Sequence, residues 1–135
     1  MSKEKDLLRV GAVVKSLLVA GGIPESSVFA LVLPEEAADR AENGYVVYEV
    51  KSGEIDYVKI PGAVSCTAYV TVMTWAKEYG DAIALAERCV DAIQEHRGNV
   101  AGDNIDAIQL QNTRDDFDRN NGGFFCKEMI FEIVL

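Results

Sequence analysis

Between Ala63 and Arg97 a long alternation of period two runs directly into a segment of helical spacing. Val64, Cys66, Ala68, Val70 and Val72 alternate with Ser65, Thr67, Tyr69, Thr71, Met73 and Trp75, which predicts a strand with one small-residue face and one amphipathic face. From Asp81 onward, stepping about 100° per residue, Ala82, Ile83, Leu85, Ala86, Cys89, Val90, Ala92 and Ile93 fill one half of a helical wheel. Asp81, Glu87, Arg88, Asp91, Gln94 and Glu95 fill the other half, so this helix is expected to lie on one side of a sheet.

The same patterning predicts a first helix from about Glu4 to Ala20, closed by Gly21-Gly22, which can adopt the left-handed conformation that ends helices. Leu7, Val10, Val13, Val14, Leu17 and Leu18 form its stripe, and Leu8 and Val19 widen it past Lys15. So broad an apolar surface is expected to touch more than one layer, by burial between sheet and loop or by contact with another subunit. The apolar run Val28 to Leu33, bounded by Pro24 and Pro34, predicts a strand buried on both faces. Glu35 to Glu42 reads as a short helix or a solvated loop. Asn43-Gly44 predicts a turn into a strand from Tyr45 to Lys51, with Val46, Tyr48 and Val50 on one side. Ser52-Gly53 and Pro61-Gly62 mark turns around a short strand near Ile55 to Lys59. After Arg97-Gly98-Asn99 ends the helical pattern, Ile105 to Asn112 alternates with Ile108 and Leu110 pointing one way. The last strand, Phe124 to Leu135, turns Phe125, Met129, Phe131, Ile133 and Leu135 inward and Glu128 and Glu132 to a wetter face. Together these elements predict an α+β fold, a two-layer sandwich of a mostly antiparallel sheet of about four to five strands with two main helices packed on it. One domain spanning residues 1–135 is expected.

Charge narrows the partners. With 22 acidic and 13 basic residues the net charge is −9, which disfavours the phosphate contacts that dominate nucleic-acid binding. The longest apolar tracts are too short to span a bilayer, and Met1 to Glu4 open onto an amphipathic helix rather than a secretion signal. A soluble protein in a cytoplasmic setting, with no membrane and no specific nucleic-acid partner, is expected.

Candidate chemistry is sparse. Asp115-Asp116-Phe-Asp118-Arg-Asn120-Asn121-Gly122 begins like a calcium loop at Asp116, Asp118 and Asn120. It then places Asn121 where the turn needs glycine and Lys127 where a bidentate carboxylate is needed, so a solvated hairpin tip is expected instead. No glycine pattern for cradling phosphate occurs at a strand-to-helix junction. Cys66, Cys89 and Cys126 are widely spaced and read as small buried hydrophobes. His96, the one histidine, falls near the last turn of the second helix, where a structural role at the negative helix end outweighs a catalytic one. No catalytic residue, cofactor or metal is assigned. Tyr69, Met73 and Trp75, interleaved with Thr67 and Thr71, combine contact area with polar tips and suggest a face for protein contact, or cover by the first helix. A small-molecule binding or regulatory domain, and an enzyme using the scattered carboxylates, are the competing classes.

Several segments occurring in order, GYVVYEV (Gly44 to Val50), CTAYVTVMTWAKEYGDA (Cys66 to Ala82), IALAERCVDAIQEHRG (Ile83 to Gly98) and FFCKEMIFEIVL (Phe124 to Leu135), resemble the tail-completion proteins of tailed phages. These are also called head-tail joining or tail-terminator proteins and are frequent in prophages. The sequence departs from the family in Asn43-Gly44, where proline often precedes the strand, and in a longer stretch from Gly21 to Asn43. The resemblance implies a non-enzymatic adaptor of the virion. It forms a homo-oligomeric ring, commonly a hexamer, that caps the tail tube and joins it to the head connector. On that expectation the partners are further copies of the chain together with tail-tube and head-connector proteins. The contact residues are then Leu8 and Val19 of the first helix, Tyr69, Met73 and Trp75 of the central strand, and Asp115, Asp116 and Asp118 of a mobile acidic loop from Arg114 to Gly123. The negative charge would keep free subunits apart and repel DNA along a channel.

Overall fold

A computed structural model describes residues 3–31, 44–57, 64–94, 97–100, 102–118 and 123–135. The described elements are α1 (Lys3–Leu8), α2 (Val10–Ala20), a 3-10 turn (Glu25–Ser27), β1 (Val28–Ala30), β2 (Tyr45–Tyr57), β3 (Val64–Ala76), α3 (Tyr79–Ile93), β4 (Gly98–Val100), β5 (Asp103–Ile105), β6 (Ala107–Asp118) and β7 (Phe124–Val134). The fold is α+β, with a five-stranded sheet in the order β1-β2-β3-β7-β6 and a small β4-β5 ribbon. All neighbours in the main sheet pair antiparallel except β1 and β2, which are parallel.

The helices lie on one face of this sheet, and the sequence periodicity decides which. Cys66, Ala68, Val70 and Val72 of β3 are fully buried, and small side chains at these positions let helices approach the strand closely. Met129, Phe131, Ile133 and Leu135 at the C-terminal end of the sheet join them, as do Val46 and Tyr48 of β2 and Ile108 of β6. From above, α2 contributes Val10, Val13, Val14, Leu17 and Leu18, and α3 contributes Leu85, Ala86, Cys89, Ala92 and Ile93. Thr74 secures the start of α3, its hydroxyl donating to the Ala82 carbonyl at 2.9 Å. At the other end of α3 the Gln94 side-chain oxygen accepts the Leu110 N–H at 3.0 Å, beside the register shift between Leu110 and Asn112. A bulge leaves a backbone donor without its ladder partner, and Gln94 supplies one.

Four elements depart from expectation. The first helix is broken at Arg9, where φ −99° and ψ 6° leave the helical basin. Arg9 N–H reaches the Asp6 carbonyl in a four-residue turn while its guanidinium pairs with the Asp6 carboxylate at 2.5 Å. The run from Val28 becomes a three-residue edge strand rather than one buried on both faces, and Leu31 turns out at φ 69°. Val32 and Leu33 lie outside the described residues, as do Glu35 to Glu42, Asn43, Pro61-Gly62 and His96. Ser52-Gly53 is no turn, because β2 continues to Tyr57 through a register shift between Val50 and Ser52. There Gly53 accommodates Leu7, whose side chain would lie 2.9 Å from a Cβ at that position. The segment from Ile105 divides, since β5 ends at Ile105 and β6 begins at Ala107 and runs on to Asp118.

Gly44 opens β2 at φ +86°, a conformation that favours glycine, and a Cβ there would stand 2.6 Å from the Trp75 carbonyl. That end of the sheet carries a second apolar cluster on the face away from the helices. Tyr45, Val47 and Phe124 are buried there with Phe29, Met73 and Trp75 packed against them.

Candidate functional site

The surfaces that remain open follow from this layering. On the face away from the helices, cross-strand register sets Trp75 between Tyr45 and Cys126, Met73 between Val47 and Glu128, Thr71 between Glu49 and Ile130, and Tyr69 between Ser52 and Glu132. Met73, Trp75 and Tyr69 are half-buried, with Tyr45 stacked on Trp75 at a centroid separation of 6.4 Å. Among the described residues no helix covers this face, because α1 and α2 pack on the opposite one. Burial, followed by the nearby Glu132 and Glu54 carboxylates, raises the Tyr69 phenol above its usual range. The expected wet face of β7 is therefore mixed, since Phe124 and Cys126 are buried on the same side as Glu128 and Glu132.

The acidic stretch is ordered as a strand to Asp118, not a loop from Arg114. Asp115 lies on the helix side, accepting from Lys127 Nζ at 2.7 Å and from the Tyr79 hydroxyl at 2.7 Å. Those two donors, Lys127 first, hold its carboxyl below the usual carboxylate range, and the same contact raises Lys127. Asp116 alternates to the other side opposite Cys126, its carboxylate oxygen accepting the Phe117 N–H at 2.8 Å. Asp118 is the last residue of β6, opposite Phe124, and Asn120 and Asn121 fall outside the described residues. Asp115 and Asp116 thus project to opposite faces of the sheet. Among the described residues no group of three or more His, Cys, Asp or Glu is placed to hold a metal ion.

All three cysteines are buried and unbridged, as their spacing predicts. Desolvation pushes the Cys89 and Cys126 thiols up to about 12, so neither is activated as a nucleophile. Leu8, at the end of α1, is 86% exposed and Val19 is 36% exposed. Both stand outside the core that Leu17 and Leu18 enter.

One surface is not identified by any motif. Beside α3 a groove of about 310 Å³ opens with Ile83, Val90, Leu110 and Met129 on its walls and Glu87, Asp91 and Lys127 among its polar lining. Its signal in the sequence is the width of the α3 apolar arc, because Ile83 and Val90 flank the residues that meet the sheet and are only half-buried. A second recess of about 370 Å³ lies between Gln94, Arg97 and the start of β6. No helix among the described residues is long and apolar enough to cross a membrane.

No family model and no curated protein matches the sequence. Among solved structures, the fold is similar to that of a chain described as the virion of a native gene transfer agent particle, with a TM-score of 0.57 at 13% identity. The likeness covers 96% of this chain and 90% of that one, so it is the whole architecture, α1 to β7, that the two have in common.

Proposed function

We propose that the chain is a non-enzymatic structural adaptor of a phage-type virion, forming a ring that terminates the tail tube and joins it to the head connector. The observation that carries the reading is the end-to-end fold likeness to a chain of a gene transfer agent virion. The surfaces agree with it. Among the described residues the long β6 strand is an edge of the sheet, a half-buried aromatic face lies away from the helices, and exposed apolar residues stand on α1 and α2. A ring needs two different patches per subunit that meet around a closed rotation, and these surfaces are distributed over different sides of the fold. Native mass spectrometry over a concentration series, with negative-stain imaging, tests the reading. Closed rings of uniform size are expected. A chain that stays monomeric at every concentration and is instead stabilised thermally by a small metabolite would replace the adaptor by a binding module.

A further inference from the structure

The two edges of the main sheet are unequal. β1 ends after three residues, where Leu31 takes a φ of 69°. β6 runs for twelve residues, Ala107–Asp118, and no strand among the described residues pairs with its outer side. A strand edge of that length, with N–H and C=O groups alternately turned outward, is a template for another strand.

Two of its N–H groups are bonded to side chains of the same subunit. Leu110 N–H donates to Gln94 Oε1 at 3.0 Å, and Phe117 N–H donates to Asp116 Oδ1 at 2.8 Å. In a regular strand, residues seven apart turn their N–H groups to opposite sides. The extra residue between Leu110 and Asn112 resets that alternation, so both of these groups face outward. Gln94 is itself fixed at the end of α3, where its N–H donates to the Val90 carbonyl at 2.8 Å. One cap therefore comes from the helical layer and the other from the strand. The charged side chains along this stretch are also engaged within the subunit, Arg114 with Glu128 at 2.9 Å and Asp115 with Lys127 at 2.7 Å. A side-chain oxygen on an edge N–H occupies the donor that the carbonyl of an incoming strand needs, and it must be displaced before a ladder can form.

We infer that Gln94 and Asp116 guard the β6 edge, holding it closed against pairing with β6 of a second copy. A second copy is the partner excluded because every copy carries the same twelve-residue edge, and two such edges can meet antiparallel about a twofold axis. The inference does not rest on the ring reading. It bears on it, since a like-to-like pairing of edges would compete with the two unlike patches that a ring needs.

Hydrogen exchange followed by NMR over a concentration series, together with sedimentation, tests this on the full chain. By alternation Thr113 and Asp115 turn their N–H groups outward between the two capped ones, so their exchange reports pairing at this edge. The double variant Gln94→Ala with Asp116→Ala is expected to associate on the order of ten-fold more tightly than the parent. The Thr113 and Asp115 amides of that variant should become protected as concentration rises. Asp116→Asn makes the same change of charge but keeps a side-chain oxygen for Phe117, and it should behave like the parent. Unchanged exchange of the Val70 and Phe131 amides in the core shows that a variant is folded. Asp116→Ala alone, at an exposed side chain, carries the test with a smaller gain if the double variant is not folded. Association of the uncapped variant no tighter than the parent's, or an equal gain in Asp116→Asn, would overturn the inference. So would concentration-dependent protection of Thr113 and Asp115 already present in the parent, because the edge would then be open.

Discussion

Thr71 is the one described buried side chain whose polar atom has no hydrogen-bond partner, although it sits in the middle of the central strand at 1% exposure. Glu49 and Ile130 lie across from it on β2 and β7, and Tyr69 and Met73 flank it on the same face. Its hydroxyl has left water without compensation, a cost of about 1–3 kcal/mol. Thr71→Val replaces the hydroxyl by a methyl of nearly the same shape and keeps the β-branching that suits a strand. Stabilisation by about 1–2 kcal/mol is expected, corresponding to a rise in Tm of roughly 3–8 °C for a chain of this size. Thr74→Val on the same strand is the control, because that hydroxyl is equally buried but donates to Ala82, and its loss should cost about 0.5–1.5 kcal/mol. Urea titrations of the parent and both variants, with a common slope, give the two differences. If Thr71→Val is neutral or destabilising, or if both variants move the same way, the assignment of Thr71 as an uncompensated hydroxyl is wrong.

The remaining predictions concern packing, pH and thiol reactivity. Gly21→Ala should destabilise by about 1–3 kcal/mol, because the new methyl would lie 2.4 Å from the Ala92 Cβ and α2 would have to move off α3. Most of that loss should disappear in an Ala92→Gly background, and an additive double variant would deny the contact. Asp115 is expected to titrate below 3.8 by carboxyl NMR, and Lys127→Met should move its midpoint up, since the lysine is the largest cause of the shift. The sign follows from linkage: a lowered folded-state pKa gives a contribution present above 3.8 that is lost as pH falls through the folded value, so the β6-β7 end should loosen only in acid. An unchanged midpoint in the lysine variant would show that the ion pair does not persist in solution. Cys89 and Cys126, raised to about 12, should react with a thiol reagent at neutral pH far more slowly in the native protein than in urea, whereas equal rates would contradict their burial.

The core was legible in the sequence because period decides burial wherever one face meets a packed layer. Val70, Val72, Phe131 and Ile133 lie where alternation puts them, and Leu85, Cys89 and Ile93 where the helical wheel puts them. Legibility fails where a contact between distant segments overrides a local signal. Ser52-Gly53 has the composition of a turn, yet Leu7, far earlier in the chain, rests over Gly53, and the glycine serves that approach within a continuous strand. Arg114 to Asp118 has the composition of a solvated loop, yet Lys127 and Tyr79 tie Asp115 into the sheet and Arg114 pairs with Glu128 at 2.9 Å. Four charges that look solvent-directed in one dimension become two cross-strand pairs once β7 is alongside.

The contact surfaces expose the same limit from the other side. Tyr69, Met73 and Trp75 were identifiable because their pattern is that of a strand with two unlike faces, but only the placement of α1 and α2 on the opposite face distinguishes an open surface from an internal layer. Ile83 and Val90 belong to the same apolar half-wheel as Leu85 and Cys89, and no property of α3 alone separates the residues that meet the sheet from those that border a groove. The distinction arises from how α3 sits on the sheet: Leu85 and Cys89 are buried in the core, while Ile83 and Val90 line a groove together with Leu110 and Met129. That is why a candidate contact surface is read where burial is incomplete, and not among the most hydrophobic segments, which the core has already taken.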